Sequence, residues 1–397
     1  MRSAAPHGLF SSRSVLSPRN VRWFDVDWHT LVVALALLAF GLLFVGAMAE
    51  SQASQVKEAV RFDAHFKKVA LTLPLLFVAM LVRASWLRRN AHWIYAGCIV
   101  LLALLPFVGE ERNNARRWIQ LPFFDLQPSE LAKVGVIVML ARLLARNRLQ
   151  KAQDWLAPVL AALAPMALVA LQPDLGTALT LVPVTAGMLY LAGARARALL
   201  AILLGCVFVG ALAIEARVVR DYQIKRVETW VDSFDPDGLI EMRNRQGFHV
   251  FHARTAIGNG GLFGRGLGRG IANQTGHLPE RDSDSIFAVI AEEAGFFGVV
   301  SLLILYVLMI LLLMGSATGL RDRFARLVVG GVALYFAAHL FVNASVNLGL
   351  LPMTGLTLPL FSTGGSSLLA TFLALGLALG LASHHEPSLD QDAFRRY

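Results

Sequence analysis

The chain has 397 residues, of which 56% are hydrophobic and 16% are charged, and its mean hydropathy is +0.58. Because a soluble domain carries about 25% charged residues, this composition excludes an ordinary soluble enzyme and predicts a membrane protein. The net charge of +9 does not indicate nucleic-acid binding, since basic residues in membrane proteins largely set orientation. Cys98 and Cys206 lie in apolar runs and predict neither a disulfide nor a metal site.

Apolar runs of roughly 17 to 25 residues, each long enough to cross a bilayer, recur along the chain. They predict an all-α polytopic membrane protein with ten transmembrane helices. The predicted spans are 29–49, 69–85, 92–108, 129–147, 156–171, 176–193, 198–216, 285–314, 326–346 and 364–383. The eighth span is longer than a bilayer requires, so we expect it to tilt or to project into solvent.

Basic residues predict the orientation of these helices. Every second connection carries them: Arg83, Arg88 and Arg89; Arg142, Arg146, Arg148 and Lys151; Arg195 and Arg197; and Arg321, Arg323 and Arg326. Short loops rich in Lys and Arg stay in the cytoplasm. The pattern therefore predicts a cytoplasmic N-terminal tail at 1–28, a membrane domain at 29–383 and a cytoplasmic C-terminal tail at 384–397.

Four connections then face the outside, at 109–128, 172–176, 217–284 and 347–363. Only the third is long, and long loops are usually functional. It carries many arginines on the side where short loops avoid them. A long loop is exempt from the orientation rule, so topology tolerates these arginines without explaining them. An anionic ligand at the outer surface would explain them.

Three charged residues lie within or beside the spans. Glu130 and Lys133 are three residues apart and share one helix face. A charge inside a span is costly and indicates a functional site with a partner, although a pair that snorkels to the interface is the alternative. Asp174, in QPDLG, either caps the next helix or faces Lys133 across a cavity, where opposite charges keep each other ionised.

Two stretches carry arginines suited to binding phosphate. The sequence GNGGLFGRGLGRG, at 258–270, holds seven glycines and includes Arg265. Glycine lets backbone N–H groups approach a ligand and arginine offers planar donors, so a pyrophosphate site is one interpretation and a flexible loop is the other. Arg116 and Trp118, in NNARRWIQL, are candidate lipid or substrate contacts, although tryptophan is also expected there as an interfacial anchor.

The approach to the last span is interrupted by Pro and Gly in NLGLLPMTGLTLPLFSTGGSSLL, at 347–369. Broken backbone at membrane depth is tolerated where it lines a cavity. Asn343 and Asn347 precede this stretch on one helix face and Ser366 lies within it, so we predict one wall of a site here. Glu292 and Glu293 lie inside the eighth span, and we expect them to bond Ser, Asn or backbone groups, or to line the cavity.

Several stretches occur in one order between about residue 113 and residue 383. They are ARRWIQL, QPSELAKV, QPDLGTAL, DYQIKRV, AIGNGGLFGRGLG, LPE followed by IFAVIAEEAGFFG, and GLLPMTGLTLPLFSTGGSSLL. Together they resemble the SEDS family, the RodA/FtsW polymerases of bacterial peptidoglycan. The resemblance implies ten transmembrane helices in the bacterial inner membrane, with a large extracytoplasmic loop at 217–284. It also implies an inverting glycosyltransferase that polymerises lipid II, with a class B penicillin-binding protein as its crosslinking partner.

The resemblance also implies a catalytic residue. The family's essential aspartate lies in Leu-Pro-Glu-x-His-Thr-Asp-Phe-Ile-Phe, which places it at Asp284 and the leading glutamate at Glu280. The surroundings depart from this pattern at Asp282 (usually His), Ser283 (Thr), Ser285 (Phe), Thr363 (Tyr) and His252 (Gln). Because Asp284 itself is kept, we expect activity to be retained and the local geometry and the pKa of the base to differ.

Asp284 is our candidate general base, which takes the proton of the attacking sugar hydroxyl. The leaving polyprenyl pyrophosphate gathers negative charge, which preorganised cations stabilise. The candidate substrate-binding residues are Arg226, Arg254, Arg265 and Arg116, together with Trp118, Lys133, Asp174, Glu280 and Ser366. No cofactor, or a divalent cation such as Mg²⁺ or Mn²⁺ between Asp284 and the pyrophosphate, are alternatives that the sequence leaves open.

Two other functions stay open at this stage. A flippase or transporter of lipid-linked precursors would also use buried ion pairs and broken helices, although it would favour inverted repeats, which the sequence lacks. A non-catalytic scaffold of the cell-wall complex is the second alternative, since the Asp-Ser-Asp-Ser sequence is atypical. Within the SEDS family, DYQIKRV and the short C-terminal tail favour a RodA-like role in elongation, whereas GLTLP favours an FtsW-like role in division.

Overall fold

The structure is a computed structural model. It describes residues 16, 21–50, 62–112, 115–121, 125–147, 149–172, 174–202, 204–205, 221–235, 237, 240 and 247–383. The predicted tails are therefore largely outside the described residues, as is most of the seventh predicted span, of which residues 198–202 and 204–205 are helical.

Helices dominate the described chain. They are α1 (Trp28–Ala49), α2 (Phe62–Met80), α3 (Ala84–Val108), α4 (Pro128–Ala145), α5 (Gln153–Leu171), α6 (Leu175–Leu191), α7 (Asp221–Asp232), α8 (Phe248–Gly260), α9 (Ile271–Thr275), α10 (Ile286–Gly319), α11 (Arg323–Asn347) and α12 (Gly365–Ser383). The side chains of Asp27, Asp174 and Asp322 accept hydrogen bonds from first-turn N–H groups and so begin α1, α6 and α11.

Six of the described helices are long and apolar enough to cross a bilayer: α1, α3, α5, α10, α11 and α12. α4 carries Glu130, Lys133 and Arg142, and α6 has only 17 residues. The chain is thus a polytopic α-helical membrane protein, as the sequence predicts. The eighth predicted span extends further than expected, to Gly319, and the second begins earlier, at Phe62.

The helices α4, α11 and α12 are buried along most of their length. α11 contacts α4, α6, α10 and α12, while α12 packs closely on α2. Small residues allow that approach, because a β-carbon at Gly376 would lie 2.2 Å from the Leu76 carbonyl oxygen, and one at Gly380 would lie 2.4 Å from that of Met80.

Hydrogen bonds bring the arginine-bearing helix ends together at one end of the bundle. Arg88 forms an ion pair with Asp322, and Arg142 donates to the carbonyl oxygens of Arg88 and Arg89 at 3.0 and 2.8 Å. Arg323 fixes two further loops by donating to the carbonyls of Asn147 and Ala192, at 3.0 and 2.8 Å. These contacts define the basic end of the bundle.

The opposite end carries a small antiparallel sheet of order β1-β2-β3. Its strands are Glu110–Arg112, Ala115–Gln120 and Asp125–Leu126. Ser366, at the start of α12, accepts from Gln127 N at 2.8 Å and donates to Asp125 O. The sheet, the beginning of α4 and the beginning of α12 therefore meet at one place.

Candidate functional site

Asp284 lies at this opposite end, in the acidic loop (residues 279–285) that leads into α10. Its carbonyl oxygen accepts hydrogen bonds from the side-chain amides of Asn343 and Asn347, at 3.0 and 3.1 Å. The loop closes on itself through Ser285 N, which donates to the carbonyl oxygen of Glu280 at 3.0 Å. α11 therefore fixes the backbone from which the Asp284 carboxyl group projects.

The Asp284 carboxyl group faces the outer segment (residues 348–364), which connects α11 to α12. A β-carbon at Gly355, where φ is +68°, would lie 3.3 Å from Asp284 Oδ2. The pKa of Asp284 is raised to about 7, chiefly by burial and in addition by the neighbouring carboxylates of Glu280, Asp174 and Asp282. A carboxyl group with this pKa can accept a proton near neutral pH.

The same face of α11 also holds the outer segment. Asn343 Nδ2 donates to Leu356 O at 2.6 Å, and His339 Nδ1 donates to Thr357 O at 3.2 Å. His339, Asn343 and Asn347 lie four residues apart and form one polar row on the helix. This row holds both the acidic loop and the outer segment, and its role as one wall of a site stays a prediction.

Glu130 and Lys133 form a fully buried ion pair with an Nζ–Oε1 distance of 2.8 Å. Lys133 Nζ also lies 2.8 Å from His339 Nε2. A carbonyl oxygen can only accept, so the His339 proton is on Nδ1 toward Thr357, and Nε2 accepts from Lys133. The buried charges are therefore linked through His339 to the outer segment, and the snorkelling alternative is wrong.

The predicted pairing of Asp174 with Lys133 is also wrong. Asp174 caps α6 by accepting from Thr177 N at 3.3 Å and Thr177 Oγ1 at 2.9 Å, and it accepts from Gln127 Nε2 at 3.0 Å. Lys133 uses Glu130 as its carboxylate partner instead, because that residue lies one turn away on the same helix. Asp174 contributes to the site as one of the negative charges near Asp284.

The eighth predicted span is interrupted at Gly295, whose φ of 67° and ψ of −165° are not helical. Beyond this break, the N–H groups of Phe296 and Phe297 leave the helical pattern. They donate to the carbonyl oxygens of Gly261 and Leu262 at 2.9 and 3.2 Å. The segment that supplies these carbonyls, residues 261–270, is named here the glycine-rich loop.

The same loop also donates to the carbonyl oxygens that lose their helical N–H partners at the break. Arg265 N donates to Glu292 O at 3.0 Å, and Gly266 N donates to Glu293 O at 2.9 Å. Only glycine fits at position 264, where φ is +77° and a β-carbon would lie 2.1 Å from Glu293 O. The loop substitutes for a missing helical turn, so neither alternative from the sequence, a pyrophosphate cradle or a flexible loop, describes it.

The side chains of Glu292 and Glu293 bond to Asn and backbone groups, as the sequence predicts. Glu292 accepts from Asn259 Nδ2 at 3.3 Å and from Ala272 N at 2.9 Å. Glu293 accepts from Asn273 Nδ2 at 2.9 Å. The partners come from α8 and α9 rather than from a neighbouring span, so these glutamates secure the connection that precedes α10.

Two of the predicted phosphate-binding arginines, Arg254 and Arg226, hold backbone in this structure. Arg254 Nη1 donates to Ser233 O at 2.7 Å, and its Nε and Nη2 donate to the carbonyls of Leu348 and Gly349 at 3.3 and 3.1 Å. Arg254, on α8, therefore links the end of α7 to the end of α11. Arg226, on α7, donates to Met353 O at 3.3 Å, which places it against the outer segment.

The other two arginines are exposed. Arg116 lies on β2, where it donates to Pro106 O at 2.9 Å and pairs with Glu111 at 3.3 Å. Arg265 lies in the glycine-rich loop and donates to Asn259 O at 3.4 Å. The partners of Arg116 and Arg265 belong to neither the acidic loop nor the outer segment, so their role as substrate contacts stays a prediction. Of the two arginines that contact the outer segment, Arg226 contacts it nearer in sequence to Gly355, at Met353.

Three further predicted contacts have local partners. Trp118 is half-buried on β2 opposite Glu110. Glu280 adopts a φ of 47° and accepts from Ser283 Oγ at 3.0 Å, so it shapes the acidic loop. Ser366 is buried and both of its hydrogen bonds go to backbone groups. Ser366 therefore positions the beginning of α12 in this structure.

Two departures from the family pattern contact each other. Thr363 Oγ1 donates to Asp282 Oδ2 at 2.8 Å, and Thr363 N donates to Asp282 O at 3.0 Å. Lys68 Nζ, on α2, donates to Thr363 O at 3.1 Å. The acidic loop is thus hydrogen-bonded to the end of the outer segment through Asp282 and Thr363. That end of the outer segment is bonded in turn to α2 through Lys68.

The sequence analysis missed His339, His249 and Arg281. His249 Nε2 lies 3.0 Å from Ser285 Oγ, whose single proton can be donated to Pro279 O at 3.0 Å. Burial lowers the pKa of His249 to about 4, so it is neutral. Arg281 is buried and donates to a backbone carbonyl. Only His339 carried a signal, its four-residue spacing from Asn343.

The described residues contain no group of three or more His, Cys, Asp or Glu side chains placed to hold a metal ion. The carboxylates near Asp284 could attract a cation, but they do not form a ligand set.

A cavity of about 380 Å³ lies at the basic end, lined by Gln150, Arg323, Arg326 and neighbouring backbone. Its lining carries no carboxylate and no histidine, so it offers no group able to accept a proton. We therefore place the candidate site at the Asp284 end.

The family model described as "Cell cycle protein", which covers FtsW, RodA and SpoVE, matches residues 27–387. The chain belongs to the FtsW/RodA/SpoVE family. The resemblance to the SEDS family inferred from the motifs is therefore confirmed.

Relatives within the FtsW/RodA/SpoVE family cover nearly the whole chain. The probable peptidoglycan glycosyltransferase FtsW of Thiomicrospira cyclica is 36% identical, over 89% of this chain and 91% of its own length. The peptidoglycan glycosyltransferase MrdB of Escherichia coli is 32% identical, over 93% of this chain and 98% of its own length.

Solved structures of the FtsW/RodA/SpoVE fold match as well. A chain from work on the structural coordination of polymerization and crosslinking by a peptidoglycan synthase complex is 31% identical, with a TM-score of 0.76 over 94% of this chain and all of that chain. The rod shape determining protein RodA of Thermus thermophilus is 32% identical, with a TM-score of 0.68 over 92% of this chain and 99% of that chain.

Proposed function

We propose that this chain polymerises lipid II into glycan strands by inverting glycosyl transfer, with Asp284 as its general base. The chain is a peptidoglycan glycosyltransferase, as its relatives are named. The observation that supports the role of Asp284 is its placement: α11 holds its backbone, and its carboxyl group faces the outer segment and has a pKa raised to about 7.

The chemistry needs a proton acceptor beside the acceptor sugar. As the hydroxyl oxygen attacks the anomeric carbon of the donor, its proton passes to the Asp284 carboxylate, and the bond to the pyrophosphate oxygen breaks. A pKa near 7 favours this role, because about half of the carboxyl groups are ionised at neutral pH and the carboxylate is basic enough to take the proton. The Asn343 and Asn347 amides hold the Asp284 backbone carbonyl and so fix the backbone from which the carboxyl group projects.

Negative charge on the departing pyrophosphate requires cationic or N–H donors. Arg226 is our candidate, because it donates to Met353 O, two residues before the Gly355 that faces the Asp284 carboxyl group. Arg254 acts by holding the end of α11 and the outer segment in place. Arg116 and Arg265 are exposed and bond Pro106, Glu111 and Asn259 rather than the outer segment, so we assign them no such role.

The orientation and partner are part of the same proposal. We place the basic end in the cytoplasm with both termini, since Lys and Arg mark cytoplasmic loops. Ten spans and an extracytoplasmic loop at 217–284 complete the layout, and Asp284 then faces the outer leaflet, where a lipid-linked sugar meets water. A class B penicillin-binding protein is the proposed partner, because one matched chain comes from a complex that couples polymerization to crosslinking.

A purified-protein assay tests the function. The protein in detergent or nanodiscs, with and without its transpeptidase partner, is incubated with labelled lipid II, and products are separated by length. We expect glycan polymer. A preparation that moves lipid II across vesicles but makes no polymer would identify a flippase, and one that does neither would identify a scaffold.

Substituting Asp282 by asparagine is expected to shift the acidic limb of the activity–pH profile to lower pH. The Asp282 carboxylate is one of the negative charges that raise the pKa of Asp284, so its removal lets Asp284 ionise at lower pH. The profile of initial polymerisation rates between pH 5 and pH 9 measures this shift.

Thr363→Val is the matched control for that shift. It breaks the hydrogen bond to Asp282 Oδ2 but leaves the charge in place. A limb that moves equally in both variants, or in neither, would show that the charge of Asp282 does not control the base.

Substituting Asn343 by alanine is expected to lower the polymerisation rate by about 10²-fold, the usual cost of misplacing a reacting group by about 1 Å. Asn343 bonds both the Asp284 carbonyl and the Leu356 carbonyl, whereas Asn347 bonds only the former. Asn347→Ala should therefore cost less. Rates normalised to folded protein, with KM measured separately, test the order; an equal or reversed effect would contradict it.

A further inference from the structure

We infer that the glycine-rich loop, residues 261–270, lies in the headgroup layer of the outer leaflet, with its apolar side chains toward the lipid and its arginines at the level of the phosphates. This inference rests on the proposed orientation of the helices but not on the role of Asp284. It concerns a second surface, which lies beside the α10 break rather than at the acidic loop.

The apolar side chains around the break are exposed rather than packed. Phe263 is 80% exposed and Leu262 is 60% exposed, and Phe296 and Phe297 on α10 are 58% and 53% exposed. The rings of Phe263 and Phe297 are 5.3 Å apart, so these side chains form one continuous patch. An aqueous loop would not display such a patch without a binding surface to cover it.

Two independent marks place this patch at the edge of the hydrocarbon. The part of α10 beyond the Gly295 break, residues 296–319, has 24 residues, hence a length of about 36 Å, against about 30 Å of bilayer core. A helix that enters the bilayer core at Gly319, at the basic end, leaves it about 20 residues earlier in the sequence, near residue 300. Phe296 and Phe297 lie about one turn beyond that point. The second mark is Gly268, where a β-carbon would lie 3.4 Å from Ala47 O in the last turn of α1.

The charges fit the same depth. Arg265 and Arg269 alternate with apolar residues along the loop and are both exposed. Among the described residues, neither lies within 4.0 Å of a carboxylate, and the nearby Glu292 and Glu293 side chains bond to Asn259, Ala272 and Asn273. Apolar groups interleaved with unpaired arginines are typical of segments that lie in a membrane interface and bind lipid phosphates.

The hydrogen bonding of the loop makes this position possible. Backbone near the hydrocarbon must be satisfied within the protein, because water is scarce there. The exchange of N–H and carbonyl groups with α10 at 292–297 provides this satisfaction on both sides of the break. The bilayer is thus the occupant that matches the patch in apolarity, charge and depth.

Spin-label accessibility tests the inference on the full chain in vesicles. In a Cys98→Ala/Cys206→Ala background, a nitroxide is attached at Phe263→Cys, or at Leu267→Cys should the first variant fail to fold. Asp235→Cys, an exposed polar position before α8, is the matched control. We expect collisions with oxygen to exceed those with a water-soluble nickel chelate at 263 and at 267, and the reverse at 235.

A second comparison tests the arginines. In vesicles that contain phosphatidylglycerol, the ratio of oxygen to nickel collisions at 263 should rise above its value in phosphatidylcholine alone. Arg265→Gln/Arg269→Gln should remove that rise, whereas Arg321→Gln at the basic end should not. An unchanged rise in the double variant would overturn the role of the arginines.

Two results would overturn the lipid assignment itself. Nickel collisions that exceed oxygen collisions at 263, as at 235, would place the loop in water. Low collision rates with both reagents would show that protein, either a second copy of this chain or a partner helix, covers the patch.

Discussion

Replacing Asp284 by alanine is expected to abolish glycan polymerisation while the protein still inserts, folds and binds its partner. Loss of a general base typically costs about 10²–10⁴-fold in rate, which lies below detection in a gel assay of polymer length. Asp284→Asn should be equally inactive, because the amide keeps the shape of the side chain but cannot take a proton. Labelled lipid II and electrophoresis of the products measure both variants.

The charge environment supplies the control for Asp284. Asp282→Asn removes a carboxylate from the same loop, yet it should retain polymerisation at neutral pH. Partner binding and thermal unfolding in detergent should be unchanged in all three variants. Polymer made by Asp284→Asn would show that this residue is not the base. If the variant unfolds in detergent, it is compared with Asp282→Asn in nanodiscs, with polymerisation rates divided by the amount of folded protein.

Replacing Lys133 by methionine is expected to destabilise the protein by about 3–5 kcal/mol, because it leaves Glu130 as a buried charge without a partner. The Lys133 ammonium group is nearly inaccessible and bonds both Glu130 and His339. Its loss should also release the His339 contact with the outer segment. The free energy of unfolding, measured by denaturant titration in mixed micelles, is the first readout, and polymerisation per folded molecule is the second.

A double-mutant cycle separates charge from packing. Glu130→Gln/Lys133→Met removes both charges and should recover much of the lost free energy of unfolding, since a neutral pair no longer needs charge compensation. It should not recover full activity, because the bond to His339 is still missing. If the losses of the two single variants simply add, the two residues do not interact and the buried pair is not a unit.

The positions of the long apolar helices among the described residues could be predicted from local sequence, because apolar length and capping residues act within one element. The helices α7, α8 and α9, within the predicted loop at 217–284, were not predicted. Asp27, Asp174 and Asp322 begin helices where a capping side chain should. The row of Asn343 and Asn347 was also predictable from their spacing of four. What these amides bind was not, because the acidic loop lies about sixty residues away and only folding brings it to α11.

The contacts of the site residues were predicted less well where the sequence offers more than one possible partner. Lys133 could pair with Glu130 or Asp174, and in the structure it pairs with Glu130, the nearer carboxylate on the same helix. The glycine-rich loop carried a phosphate-like signal, yet its N–H groups satisfy the broken turn of α10. Glycine signals close approach of backbone, but the sequence does not say whether the approaching group is a ligand or another part of the chain.

The polar row on α11 has a mechanical consequence. The backbone of Asp284 and the outer segment around Gly355 are both hydrogen-bonded to α11. A tilt or translation of α11 would therefore move both together and leave the distance between them unchanged. A change in that distance must instead come from elements that contact only one of the two, and α7, which contacts the outer segment through Arg226, is one such element.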